Sequence, residues 1–176
     1  MELTITPRGT LQINDARICF KNFKGERSMY NPNGARTFSL IIPDDETAEI
    51  LMNDKSEHGI GWNIKIKAPQ TPDEEPFRHM KVKLSFSDRS QPNIWLISGR
   101  NRTRLTEKTV GMLDDISIEK VDLDIRPWDN EGTFGAHRTA YLIGMQVTQK
   151  ENYDRFAERW AGEESPMEDD EEIPFD

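Results

Sequence analysis

From Met80 to Ser87 the chain reads MetLysValLysLeuSerPheSer, with every second side chain apolar. A period of two puts Val82, Leu84 and Phe86 on one face of an extended strand and Lys81, Lys83 and Ser85 on the other. A helix, with 3.6 residues per turn, would scatter both sets around its axis. The same alternation recurs along the chain. Ala16 to Phe23 alternates well enough for a strand, and Thr37 to Ile42 sets Phe38, Leu40 and Ile42 together. Trp62 to Lys67 opposes Trp62, Ile64 and Ile66 to Asn63, Lys65 and Lys67. Ile118 to Trp128 holds a strand with Val121, Leu123 and Ile125 against Asp122, Asp124 and Arg126. Asn93 to Ser98 is apolar on both faces, and Arg138 to Gln149 is the last long strand. AsnProAsnGly at 31–34 is the strongest turn signal between these runs. Six or so strands predict a mainly β, antiparallel domain, a barrel or a sandwich.

Helix is a minor component. Pro43-Asp44-Asp45-Glu46 has the acidic first turn that complements the helix dipole, and the helix should run to about Asn53, packing through Ala48, Leu51 and Met52. Thr106 to Asp115 predicts one short turn capped by Thr106, and Asn152 to Ala161 an amphipathic helix with Tyr153, Phe156, Ala157 and Trp160 as its stripe. Phe38, Trp62 and Phe86 belong to the core, and Cys19 is expected to be a small buried hydrophobe without chemistry.

Charge is segregated along the chain. Of 32 acidic residues against 23 basic ones, eight lie between Glu163 and Asp176, which leaves the rest near neutrality, 24 against 23. The segment 163–176 lacks the apolar content to offset the entropy of ordering, so the organisation expected is a folded domain over 1–162 and a disordered acidic tail over 163–176. Ile173, Pro174 and Phe175 near its end look like an anchor for a partner's pocket. The single cysteine excludes an internal disulfide and fits a reducing compartment. No apolar run approaches the roughly 20 residues of a membrane span, and the first residues lack a signal-peptide layout, so a cytoplasmic protein is expected.

No enzyme constellation is apparent, and no catalytic residue, metal or cofactor is assigned. His58, His79 and His137 are expected in separate loops without ligand spacing. Asp122 with Asp124, and Asp114 with Asp115, could in principle serve a two-metal nuclease, but solvated strand and loop acids explain them more simply.

The cations are better organised. The first hairpin should carry a basic tip with Lys24, Arg27, Tyr30 and Arg36. If their strands pair, Lys65, Lys67, Lys81 and Lys83 crowd one sheet face, an unfavourable arrangement unless an anion is expected there. Arg100, Arg102 and Arg104 follow Trp95, Trp128 follows Arg126, and Phe134 and Arg138 share the last hairpin. Cations interleaved with stacking rings are what sequence-tolerant binding of single-stranded nucleic acid requires.

The end of the chain, AspAspGluGluIleProPhe over Asp169 to Phe175, resembles the acidic tail of bacterial and phage single-stranded DNA-binding proteins. LysAsnPheLysGly (21–25), GlyTrpAsnIleLysIle (61–66), ValAspLeuAspIleArgPro (121–127) and ArgThrAlaTyrLeu (138–142) resemble strings of a phage and prophage group with that function. The resemblance implies an OB-fold barrel that coats single-stranded DNA in replication, recombination or repair, in the cytoplasm of a bacterial host. It also implies a tail that recruits partner proteins through Ile173, Pro174 and Phe175, with Asp169, Asp170, Glu171 and Glu172 as an acidic collar. The bacterial tail ends on its Phe, whereas Asp176 follows here. A flexible chain of the tail's length reaches roughly 20 Å, far enough to compete for its own DNA groove. The competing reading is an acidic adaptor or DNA mimic that binds basic proteins.

Overall fold

A computed structural model describes residues 1–87, 89–132 and 135–151. Phe134, the expected helix over 152–161 and the tail over 163–176 lie outside them. The described elements are β1 (Glu2–Ile5), β2 (Leu11–Ala16), β3 (Ile18–Asn22), β4 (Arg36–Ile42), α1 (Asp45–Asn53), β5 (Lys65–Lys67) and β6 (Phe77–Leu84). They continue with β7 (Asn93–Ser98), β8 (Asn101–Leu105), a 3-10 turn at Val110–Asp114, β9 (Ile118–Gly132) and β10 (Gly135–Gln149).

β2 and β3 are two halves of one bent strand. The bend falls beside Asp15, whose φ of 56° is held by a hydrogen bond from its N–H to the Asp122 carboxylate at 2.8 Å. β2 pairs with β9 and β3 with β4, so the bent strand joins the two ends of the path β4-β6-β10-β9 and closes a barrel. Every pairing around this ring is antiparallel except β6 with β10. Five strands in this order, with the third parallel to the fifth, make an OB fold, the barrel type whose second and third strands and adjoining loops serve oligonucleotides. β1 extends β2, β5 extends the first half of β6, and the β7–β8 hairpin pairs with β10 beyond the end of β6.

The barrel interior follows from alternation. Phe38, Leu40 and Ile42 of β4 face Met80, Val82 and Leu84 of β6, with Leu123 and Ile125 of β9 and Leu142 of β10, all buried. Burying one such side chain contributes about 1.5–3 kcal/mol, and truncating Phe38 to Ala would cost about 3–5 kcal/mol. α1 plugs one end with Ala48 and Leu51. Its first turn is fixed by the Asp44 carboxylate, which accepts the Thr47 N–H at 2.8 Å and is held below the usual carboxylate range by that bond.

Several boundaries depart from the sequence pattern. β1 and β2 arise in the polar start, where only Leu11 and Ile13 carry the alternation. β6 begins three residues early, at Phe77, and places His79 on a strand rather than in a loop; His137 likewise lies on β10. β5 keeps only Lys65–Lys67, although Trp62 is buried as expected. Between the two last strands of the sequence pattern, β9 and β10 continue as a ribbon, paired out to Gly132 and Gly135. Thr106 does not cap through its side chain; its carbonyl accepts the Thr109 and Val110 N–H groups. Phe86 packs against the core but is only partly buried, and Cys19 is half-buried, its thiol pushed up by that burial. Among the described residues no helix is long and apolar enough to cross a membrane.

Candidate nucleic-acid interface

The outward residues of the barrel form rows across the strands. Thr37 of β4, Lys83 of β6, Tyr141 of β10 and Arg126 of β9 are successive register partners, with the Arg126 guanidinium 4.7 Å from the centre of the Tyr141 ring. In the neighbouring rows Ser39 opposes Lys81, Ile41 opposes His79, and His79 opposes Lys65. Thr139 opposes Trp128, whose ring is 56% exposed. The expected lysine cluster therefore exists: β5 pairs with β6 and places Lys65 and Lys67 on the face of Lys81 and Lys83. Where β6 and β10 splay apart, a cleft of about 200 Å³ opens with Lys65, Lys81 and Lys83 on its walls. Among the described residues no acidic side chain lines it. Like charges gathered without counter-charges favour a polyanion.

The floor of the cleft is Arg138 over Trp62, guanidinium to ring centre 4.8 Å. Arg138 is buried and committed: Nε and Nη2 donate to the Asp129 carboxylate at 2.6 and 2.9 Å, and Nη1 to the Asp54 carbonyl at 3.0 Å. Asp54 also accepts the Trp62 indole N–H at 2.8 Å. The cation thus braces α1 against the barrel and shapes the cleft from below.

The loop between β3 and β4 is a built structure. The Asn31 amide donates to the carbonyls of Glu26 and Ala35 at 2.9 and 3.0 Å, and its oxygen accepts the Ala35 N–H. Gly25 and Gly34 meet with φ of 69° and 68°, and a Cβ on Gly25 would lie 2.7 Å from the Gly34 carbonyl oxygen, so only glycine closes the loop. Its frame presents Met29 and Tyr30 at 85% and 93% exposure, with Arg27 exposed beside them. The other two cations expected here are tethered. Lys24 pairs with Asp115 at 2.8 Å, which raises its pKa, and Arg36 donates to the Phe23 carbonyl at 2.7 Å and covers Phe86.

Trp95, Arg100, Arg102 and Arg104 lie elsewhere, on the β7–β8 hairpin along the far half of β10. Arg102 sits 4.0 Å from the centre of the Trp95 ring, and the two line a shallow depression with Asp122 and Asp124. Burial raises the pKa of Asp124. Asp114 is occupied by the N–H groups of Phe23 and Lys24 at 2.7 and 3.0 Å. Among the described residues no group of three or more His, Cys, Asp or Glu side chains could hold a metal ion.

One feature of this surface escapes the sequence pattern. The pairing of Ile18 with Leu40 and Cys19 with Ser39 would carry Phe20 inward, but the β3–β4 register breaks between Cys19 and Asn22. The bulge turns Phe20 out, at φ 50° and 65% exposure. The left-handed region costs a bulky side chain about 1–2 kcal/mol. Its ring packs edge-on against Phe77 and His79, at 6.0 and 5.5 Å between centres. Burial and, second, the charge of Lys65 lower the His79 pKa and disfavour the imidazolium.

Residues 3–173 match the model of a family described as "Putative phage ssDNA-binding domain". The chain belongs to this family. No curated protein sequence matches it. Among solved structures it is similar to the single-stranded DNA-binding protein from bacteriophage Enc34 in complex with ssDNA, at 14% identity and a TM-score of 0.53, over 85% of this chain and 92% of that one. The same phage protein on its own gives 14% identity and a TM-score of 0.53, over 95% and 93%. At that identity the likeness concerns the fold, and it agrees with the barrel connectivity read from the strand pairings. Family membership carries the function class, binding of single-stranded DNA by a phage protein.

Proposed function

We propose that the chain coats single-stranded DNA without sequence preference and without catalysis during phage replication or recombination. The strand passes over the outer face of β4, β6, β10 and β9. Lys65, Lys67, Lys81 and Lys83 neutralise phosphates there, Arg126 over Tyr141 assists them, and Trp128 and Tyr30 take bases. The observation that carries this reading is the lysine-walled cleft, without acids among the described residues and beside the exposed Trp128, on the face that OB folds use for oligonucleotides. The Enc34 protein, solved with ssDNA, supports the choice of ligand. Arg27 at the loop tip belongs to the same track. Arg138 shapes it from below, while Lys24 and Arg36 hold the loop that delivers Tyr30. Arg100, Arg102 and Arg104 beside Trp95 form a flanking contact. Phe134, outside the described residues, is assigned to the track on sequence grounds.

We assign 1–162 as the DNA-binding domain and 163–176 as the tail that recruits partner proteins through Ile173, Pro174 and Phe175 and competes with DNA for the lysine cleft. The test is a tryptophan-fluorescence titration of the full chain and of a 1–162 truncation with oligo-dT at two salt concentrations. Binding by both is expected, weakening by about 0.7 log units per phosphate contact for each tenfold rise in salt. The truncation should bind more tightly, with the advantage fading as salt screens the tail. Absence of binding by either at low salt contradicts the DNA reading and favours the acidic adaptor.

A further inference from the structure

The geometry points to a second nucleobase-stacking site formed by Phe20, Phe77 and His79, on the β3–β6 side of the lysine cleft and opposite Trp128 on its β9 side. This inference rests on the DNA-binding reading and deepens it. Three rings converge from two strands: Phe20 lies edge-on to Phe77 and to His79, and Phe77 and His79 are 5.0 Å apart and tilted by 32°. Lysines border them on the strand that pairs with β6, since Lys67 opposes Phe77 and Lys65 opposes His79, while Glu74 and Glu75 lie only at the outer, Phe77 end. Lys81, the next outward residue of β6, carries the surface into the cleft.

Two observations separate this cluster from an ordinary patch of surface aromatics. Phe20 holds a left-handed backbone in a β-bulge, and the effect of that bulge is to take an apolar ring out of the protein and present it to solvent. Strained backbone of this kind persists only where its surroundings enforce it, and it gathers at binding sites. His79 also has a buried Nδ1 that finds no hydrogen-bond partner among the described residues, and its ring lies against both phenylalanines. Flat apolar surface flanked by ammonium groups suits an unstacked base whose own phosphates reach Lys65 and Lys67. Any of the four bases fits, because each has a π-face.

The test is Phe20→Gly in the full-length chain, compared with the parent on oligo-dT and on a phosphate–deoxyribose oligomer of equal length that lacks bases. Glycine accepts φ 50° without strain, so the variant should fold with an unchanged or raised Tm. Expected is a five- to hundredfold weaker affinity for oligo-dT with an unchanged salt slope, since no charge is removed. Affinity for the base-free oligomer should not change. Phe77→Leu, which keeps the apolar bulk without the aromatic face, should lose affinity in the same base-dependent way. Unchanged oligo-dT affinity in Phe20→Gly, or an equal loss on the base-free oligomer, overturns the stacking site while leaving the DNA reading intact. Failure of the parent chain to bind oligo-dT is a separate result and removes the reading beneath it.

Discussion

Two clusters of basic and aromatic residues within the described part of the chain are put together differently. On the outer face of β4, β6, β10 and β9, Lys65, Lys81 and Lys83 line a cleft without acids among the described residues, and Trp128 stands open to solvent, as does Tyr30 on the β3–β4 loop. On the β7–β8 hairpin, Arg102 covers the Trp95 ring and shares its depression with Asp122 and Asp124. In sequence the second cluster is the denser, with three arginines in five residues. In space part of its charge and its ring are already engaged. Cation density along a chain therefore measures available positive potential poorly, because potential depends on which counter-charges the fold brings alongside.

The comparison is sharpest in the salt dependence of binding. Lys65→Ala, Lys81→Ala and Lys83→Ala combined should lower the slope of log affinity against log salt by about 2, which corresponds to about a hundredfold weaker oligo-dT binding at 0.1 M salt. Next in size, Trp128→Ala should weaken binding about tenfold with no change in slope, as expected for loss of a base stack. It should also remove most of the quenching that arises from the three tryptophans of the described residues, since the Trp62 indole is buried and Trp95 lies under Arg102. The triple Arg100→Ala, Arg102→Ala and Arg104→Ala should cost about threefold and change the slope by less than about 1. If it matches the lysine triple, the two clusters are equivalent and the distinction fails.

The smallest expected effect concerns pH. His79 has a lowered folded-state pKa, so as pH falls below about 6.5 the unfolded chain takes up a proton that the folded one resists, and stability declines. The groups facing it are Lys65, Ile41, Phe20 and Phe77. The cation among them opposes protonation. His79→Phe should remove this small part of the acid-side fall in Tm, measured by thermal scans between pH 7 and 5.

How much of this was legible in the sequence depended on distance along the chain. β4, β6 and β9 were readable because period two is a local signal, and α1 because Asp44 and its acidic first turn are local too. β8 was not, since an edge strand made of arginines and polar residues shows no buried face except Leu105. The lysine pairing was conditionally legible; only the β5–β6 register placed Lys65 and Lys67 beside Lys81 and Lys83. Lys83, Tyr141 and Arg126 become neighbours through pairings between residues far apart in sequence, which no local pattern encodes. Arg138 read as a free cation because one of its partners, the Asp54 carbonyl, lies 84 residues away. Phe20 read as an ordinary strand residue because a bulge is invisible to an alternation count. The PheLysAsnPhe run, with Phe23 fully buried three residues later, is the one local hint that the period slips there.

The central claim is the path of the strand. Ultraviolet cross-linking of oligo-dT to the full-length chain, with the adducts mapped to peptides by mass spectrometry, tests it most directly. Adducts are expected on the peptides that carry Tyr30, Trp128 and Tyr141, on the outer face of the barrel and its first loop. Adducts confined to the segment from Asn93 to Leu105 would place the DNA on the arginine hairpin and contradict the account.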